Sequence, residues 1–85
     1  MADTLFNAKA TLKEGLQVEC TARDFSIILD EPVSLGGTDT GMNPVEALLS
    51  ALGGCKCIVA RAFAKKHKIN LKNVEIELEG TLDPD

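Results

Sequence analysis

The stretch Asn43-Pro44-Val45-Glu46-Ala47-Leu48-Leu49-Ser50-Ala51-Leu52-Gly53-Gly54-Cys55, continued by Lys56-Cys57-Ile58-Val59-Ala60, decides how the rest of the chain must fold. Asn43 is a helix N-cap residue, and Pro44 takes the first helical position, where its missing N–H costs nothing. Glu46 falls three residues after Asn43, the spacing of a capping box. The helix is predicted to run to about Lys66. Between Val45 and Ala60 only Glu46 and Lys56 are charged. A helix apolar on nearly all sides belongs in the centre of a protein, covered on nearly all sides. The two charges and the Gly53-Gly54 pair argue against a membrane span, which asks for about twenty apolar residues in a row. After Ala60 the pattern turns basic, with Arg61, Lys65, Lys66, His67 and Lys68, as suits the negative end of a helix dipole.

Upstream, three short runs alternate with a period of two. Phe6, Ala8, Ala10 and Leu12 share one side of Leu5 to Leu12, against Asn7, Lys9 and Thr11. Leu16, Val18 and Cys20 oppose Gln17, Glu19 and Thr21. Phe25 to Leu29 is a shorter, more fully buried run. Turns at Glu14-Gly15 and Arg23-Asp24 join the three into an antiparallel meander. Leu35 to Met42, which carries Gly36, Gly37 and Gly41, is a loop. Downstream, Val74, Ile76 and Leu78 alternate with Glu75, Glu77 and Glu79, a fourth strand. The order is β-β-β-α-β and the fold class is α+β: a meander, a long buried central helix and a further strand.

With 85 residues the chain is one domain at most. Nine basic against 13 acidic residues give a net charge of −4, which speaks against nucleic acid as a partner and against anchoring to an anionic membrane. Met1 to Phe6 has Asp3 and no apolar run behind it, so no signal peptide is expected there. Three cysteines do not make a disulfide scaffold, and a reducing cytoplasm is the expected location.

Cys55 is the sharpest candidate for chemistry. Two glycines inside a helix cost about 2 kcal/mol against alanine, so something must approach the backbone closely at Gly53-Gly54. Leu48, Leu52, Cys55 and Val59 share one helical stripe, which would set the thiol in an apolar pocket. The residue is either a small buried hydrophobe or a reactive thiolate, and the second needs a cation or a helix N-terminus nearby. Cys57 lies about 200° further round the helix, so the two sulfurs point apart and a shared soft metal is disfavoured. Cys20 reads as a core residue of its strand. His67, the single histidine, reads as a solvated residue at a helix end. The glycine loop matches no phosphate-cradle spacing, and the Glu75, Glu77, Glu79 face reads as a solvated or edge face. The sequence calls for no cofactor and no metal.

The run Asp30-Glu31-Pro32, Leu35-Gly36-Gly37, Asp39, Gly41, Asn43-Pro44, Glu46, Leu48-Leu49, Ala51-Leu52-Gly53-Gly54-Cys55 closely resembles the family of osmotically inducible protein C and organic hydroperoxide resistance protein (OsmC/Ohr). The likeness continues through Ala60-Arg61-Ala62-Phe63-Ala64 and from Val74 to Asp85, so residues 1–85 read as the N-terminal part of one OsmC-like domain. The resemblance implies an intertwined homodimer with central helices between two sheets. It implies thiol-dependent reduction of organic hydroperoxides, with Cys55 at the peroxidatic position and a small thiol or dithiol as reductant. The alternative it leaves is a non-catalytic dimerising module, or a truncated fragment. The family's resolving cysteine belongs to a later part of its fold, and neither Cys57 nor Cys20 matches it. Where the hydroperoxide-resistance branch has a catalytic glutamate directly after Asn-Pro, this chain has Val45, with Glu46 next and equally readable as the helix cap. Where that branch has an arginine in the first hairpin, Lys13 is the nearest cation. The pattern is closer to the broader OsmC-like branch.

Four short strands cannot cover so apolar a helix in one copy. The sequence therefore predicts either a partner, most simply a second copy, or further residues beyond Asp85.

Overall fold

The computed structural model describes residues 4–82. The readings that rest on Met1 to Asp3 and on Asp83 to Asp85 lie outside the described residues. Contacts divide the chain into two units, Met1–Pro44 and Val45–Asp85.

The first unit is built on a three-stranded antiparallel sheet in the order β1-β2-β3, with β1 at Lys9–Leu12, β2 at Val18–Ala22 and β3 at Phe25–Leu29. The predicted meander is present. Its first strand is shorter than predicted, because Leu5 to Ala8 take no part in the ladder. The register places Leu12, Val18 and Leu29 in one row and Ala10, Cys20 and Ile27 in the next. Alternation of apolar and polar residues thus makes a single apolar sheet face. That face stays open in one copy: Leu12 is 67% exposed, Phe25 64% and Ile27 55%. The expectation of a more fully buried β3 is corrected here, since nothing among the described residues of the first unit stacks on the sheet. Cys20 is half-buried on the same face. The β1–β2 turn closes through Lys13 N–H to the Gln17 carbonyl at 2.7 Å, with Gly15 at φ 60. In the next turn Arg23 adopts φ 54 and lays its guanidinium over the Phe25 ring at 4.8 Å.

The second unit holds α1, Pro44–Lys66, as the sequence predicts. Its C-terminus closes by two reversed bonds, Ile69 N–H to the Ala64 carbonyl at 2.8 Å and Lys68 N–H to the Lys65 carbonyl at 3.3 Å, with Lys68 left-handed at φ 56. This is a Schellman cap, whose left-handed position favours glycine. Lys68→Gly is therefore expected to stabilise the chain by about 1 kcal/mol, read as a rise in the thermal midpoint; an unchanged or lower midpoint would refute the assignment. Phe63 and His67 stack beside the cap with ring centroids 4.3 Å apart.

Two expectations need correction. The predicted fourth strand makes no ladder among the described residues, because no strand lies beside it to exchange bonds. Its alternation is nevertheless expressed: Val74, Ile76 and Leu78 are half-buried, and Glu75, Glu77 and Glu79 are exposed. The segment returns along one face of α1, held by the Arg61 guanidinium, whose Nη1 donates to the Leu71 carbonyl at 2.9 Å. The helix, in turn, is not buried. Only Gly53 and Ala64 are buried on it, while Leu48 is 69% exposed, Leu52 49% and Val59 60%. One return segment can cover one face, and the remaining apolar surface has no cover among the described residues of the second unit.

Candidate functional site

The two helical glycines that drew attention to Cys55 have separate explanations. A Cβ on Gly53 would lie 2.7 Å from Leu78 Cδ1, so the return segment lies tight against the helix there. Leu78 is thus one of the close neighbours that the Gly-Gly pair predicts. Gly54 has nothing within 4 Å of its would-be Cβ. Its cost in helix propensity has no compensating contact among the described residues.

Cys55 follows Gly54 on the open face of α1, exposed, on the stripe it shares with Leu48, Leu52 and Val59. The predicted apolar pocket around it is not formed, and the reading of Cys55 as a buried hydrophobe is overturned. Helical geometry of about 100° per residue puts Glu46, nine positions earlier, on the opposite side of α1. Glu46 instead borders an open groove of about 490 Å³ with Leu49, Gly53, Cys57, Ile76 and Leu78. Neither Asn43 nor Glu46 is without an interaction of its own. Cys57 is half-buried in this groove, facing away from Cys55 as its spacing requires. Cys20, Cys55 and Cys57 are all free thiols. Lys13 belongs to the first unit, where its ammonium meets the Glu19 carboxylate at 3.5 Å. Both partners are well exposed, so the pair contributes little to stability. Of the three candidates for chemistry, then, Cys55 and Glu46 share a helix but not a face, and Lys13 is engaged at its own hairpin.

The residue that sequence reasoning passed over is Asp30. It is the one fully buried side chain among the described residues, 1% exposed. Its carboxylate accepts from the Thr38 hydroxyl at 2.5 Å, the Thr40 hydroxyl at 2.7 Å, and the backbone N–H groups of Glu31, Thr38 and Thr40. These donors, the Thr38 and Thr40 hydroxyls foremost, hold its pKa well below the usual carboxylate range. The loop it organises is tight. Asp30 N–H donates to the Met42 carbonyl, Asp39 N–H to the Glu31 carbonyl and Gly37 N–H to the Pro32 carbonyl. A Cβ on Gly37 would overlap the Glu31 carbonyl oxygen, and one on Gly41 would overlap that of Ile28. The signal was present as an aspartate followed by threonines eight and ten residues on, inside a glycine loop. Asx and Ser/Thr side chains are the groups that bond loop backbones in this way.

In sequence, the Asp30-centred loop runs into the Asn-Pro helix start, and Cys55 follows two glycines on the helix. The family described as OsmC-like protein matches residues 37–85, more than half of the chain. The chain belongs to the OsmC-like family. No curated protein and no solved structure matches it. The OsmC-like match takes in Glu46, Cys55, Cys57 and the return segment, and it begins inside the loop, after Asp30. By length and composition alone α1 could cross a membrane, with mean hydropathy 1.5 over its most apolar window. The core helix of a soluble protein passes the same test, and OsmC-like proteins are generally soluble.

Proposed function

We propose that this OsmC-like chain is a thiol-dependent reductant of organic hydroperoxides, acting through Cys55 in the cytoplasm as a homodimer. The observation that carries the reading is an exposed Cys55 beside an uncovered Gly54 backbone, within the matched span. A peroxide can approach this thiol without displacing any of the described residues. In the reaction the Cys55 thiolate attacks one peroxide oxygen, the O–O bond breaks, the alcohol leaves with a proton, and the sulfur becomes a sulfenic acid. An external thiol then condenses with the sulfenic acid, releasing water, and a second thiol reduces the mixed disulfide. Cys57 faces away and does not take the first thiol's place.

The test is loss of free thiol on addition of cumene hydroperoxide, followed by mass spectrometry. One oxygen is expected at Cys55 in the unmodified chain and none at that position in Cys55→Ser, with Cys57→Ser behaving as the unmodified chain. A Cys55 that stays reduced while the chain is folded would sink the proposal.

A second reading, a dimerising module without catalysis, is favoured by one observation. Glu46 lies on the opposite side of α1 from Cys55, so it is not placed to serve as a base for that thiol.

A further inference from the structure

The turn between β2 and β3 holds a side chain that its backbone does not favour. Ala22 pairs with Phe25, so Arg23 and Asp24 alone make the turn, and Arg23 has φ 54. A positive φ in a two-residue hairpin belongs to Gly, Asn or Asp, because a long side chain there crowds the backbone. Strain kept at a non-glycine residue points to a use for its side chain. The Arg23 guanidinium lies 4.8 Å from the centroid of the Phe25 ring. The residue is exposed, and no carboxylate among the described residues pairs with it.

A second observation stands beside the first. Phe25 also lines an open hollow of about 240 Å³ at this end of the sheet, together with Ala8, Cys20, Ala22 and Ile27. The register sets Cys20 opposite Ile27 and Ala22 opposite Phe25, so these four share the apolar face. The hollow is smaller than the cavities that take drug-sized ligands. It has room for a ring or a short alkyl chain, and the guanidinium over Phe25 sets a positive charge at its margin.

We propose that Arg23 and this hollow form a binding site for a small amphipathic carboxylate, with its alkyl or aryl part in the hollow and its carboxylate on the guanidinium. Arginine presents parallel N–H donors that match the two oxygens of a carboxylate. A guanidinium already resting on a ring is partly oriented, so less freedom is lost when the anion arrives. The apolar walls hold the chain of the ligand, and the charge selects the anion over a neutral molecule of the same shape. The site lies within the first unit and depends neither on the reactivity of Cys55 nor on the homodimer reading.

The experiment titrates octanoate into the whole chain by calorimetry at low ionic strength, beside octanamide, which has the same alkyl chain and no charge. Arg23→Gly removes the guanidinium and suits the φ of the turn, so it is expected to fold with an unchanged or higher thermal midpoint. Arg23→Lys keeps the charge and loses the fork. Octanoate is expected to bind the unmodified chain saturably at one site. Octanamide, and octanoate with Arg23→Gly, are each expected to bind at least tenfold more weakly, with Arg23→Lys between. Cys20 lines the hollow, so its alkylation, read by mass spectrometry of its peptide, is expected to slow in the presence of octanoate while that of Cys55 does not. No saturable binding at millimolar octanoate, equal binding of octanamide, or undiminished binding by Arg23→Gly would each overturn the proposal. Should Arg23→Gly fail to fold, the octanamide comparison and the protection of Cys20 decide it on the unmodified chain, and unprotected Cys20 at saturation would overturn it.

Discussion

Gly41→Ala is expected to destabilise the chain by about 3 kcal/mol, the upper end of the usual cost of overpacking. The reason is what the new methyl would meet. At Gly41 it would run into the carbonyl oxygen of Ile28 in β3. That is backbone in a hydrogen-bonded ladder and cannot turn aside as a side chain can. Next to it, Asp30 N–H donates to the Met42 carbonyl at 3.2 Å, so the loop cannot lift without losing that bond. The cost should fall on the loop and β3 together, seen as a lower denaturation midpoint and faster amide exchange at Asp30. A variant with an unshifted midpoint would show that the loop does not approach β3 so closely.

Asp30→Ala should have the second large effect. Its carboxylate is an acceptor shared by two hydroxyls and three backbone N–H groups. Removing it leaves these donors pointing at an apolar methyl, and the amides of Thr38 and Thr40 are expected to exchange on the order of tenfold faster or more. Acid should act on the same group. Because the folded pKa is lowered, the carboxylate stabilises the loop fully above its unfolded value near pH 4 and progressively less as the pH falls below it. Stability measured downward from about pH 4 should fall for the unmodified chain. Asp30→Asn, already weaker at neutral pH, should lack this contribution. Parallel curves for the two chains would reject the role given to Asp30.

Much of this was legible in residue patterns. The alternation through Ala10, Leu12, Val18 and Cys20 gave the meander and its faces, because a half-buried strand has to alternate. The Asn43-Pro44 start and the basic turn at Lys65-Lys66 bounded α1 to within a residue. The alternation at Val74 to Glu79 was equally readable, but a strand is a relation between two segments, and the sequence of one cannot supply its neighbour. Burial of α1 failed for the same reason: an apolar helix states that cover is needed, not that the same copy provides it. Asp30 was missed for a different reason. Its partners are hydroxyls and amides from a loop with no period, so only a specific backbone path brings Thr38 and Thr40 to one carboxylate.

That path is short, and its shortness has a kinetic side. Asp30 reaches partners no more than ten residues away, and closing a loop of that length takes about 10–100 ns. Each hairpin of the sheet is similarly close in sequence, while the return segment meets α1 across a longer stretch, with Leu78 beside Gly53 and Gly80 beside Leu49. Local pairings such as the hairpins and the Asp30 loop form without a slow search. In the proposed homodimer, the step that covers the bare apolar faces of the sheet and the helix is second order. Its rate depends on how much of the protein is present.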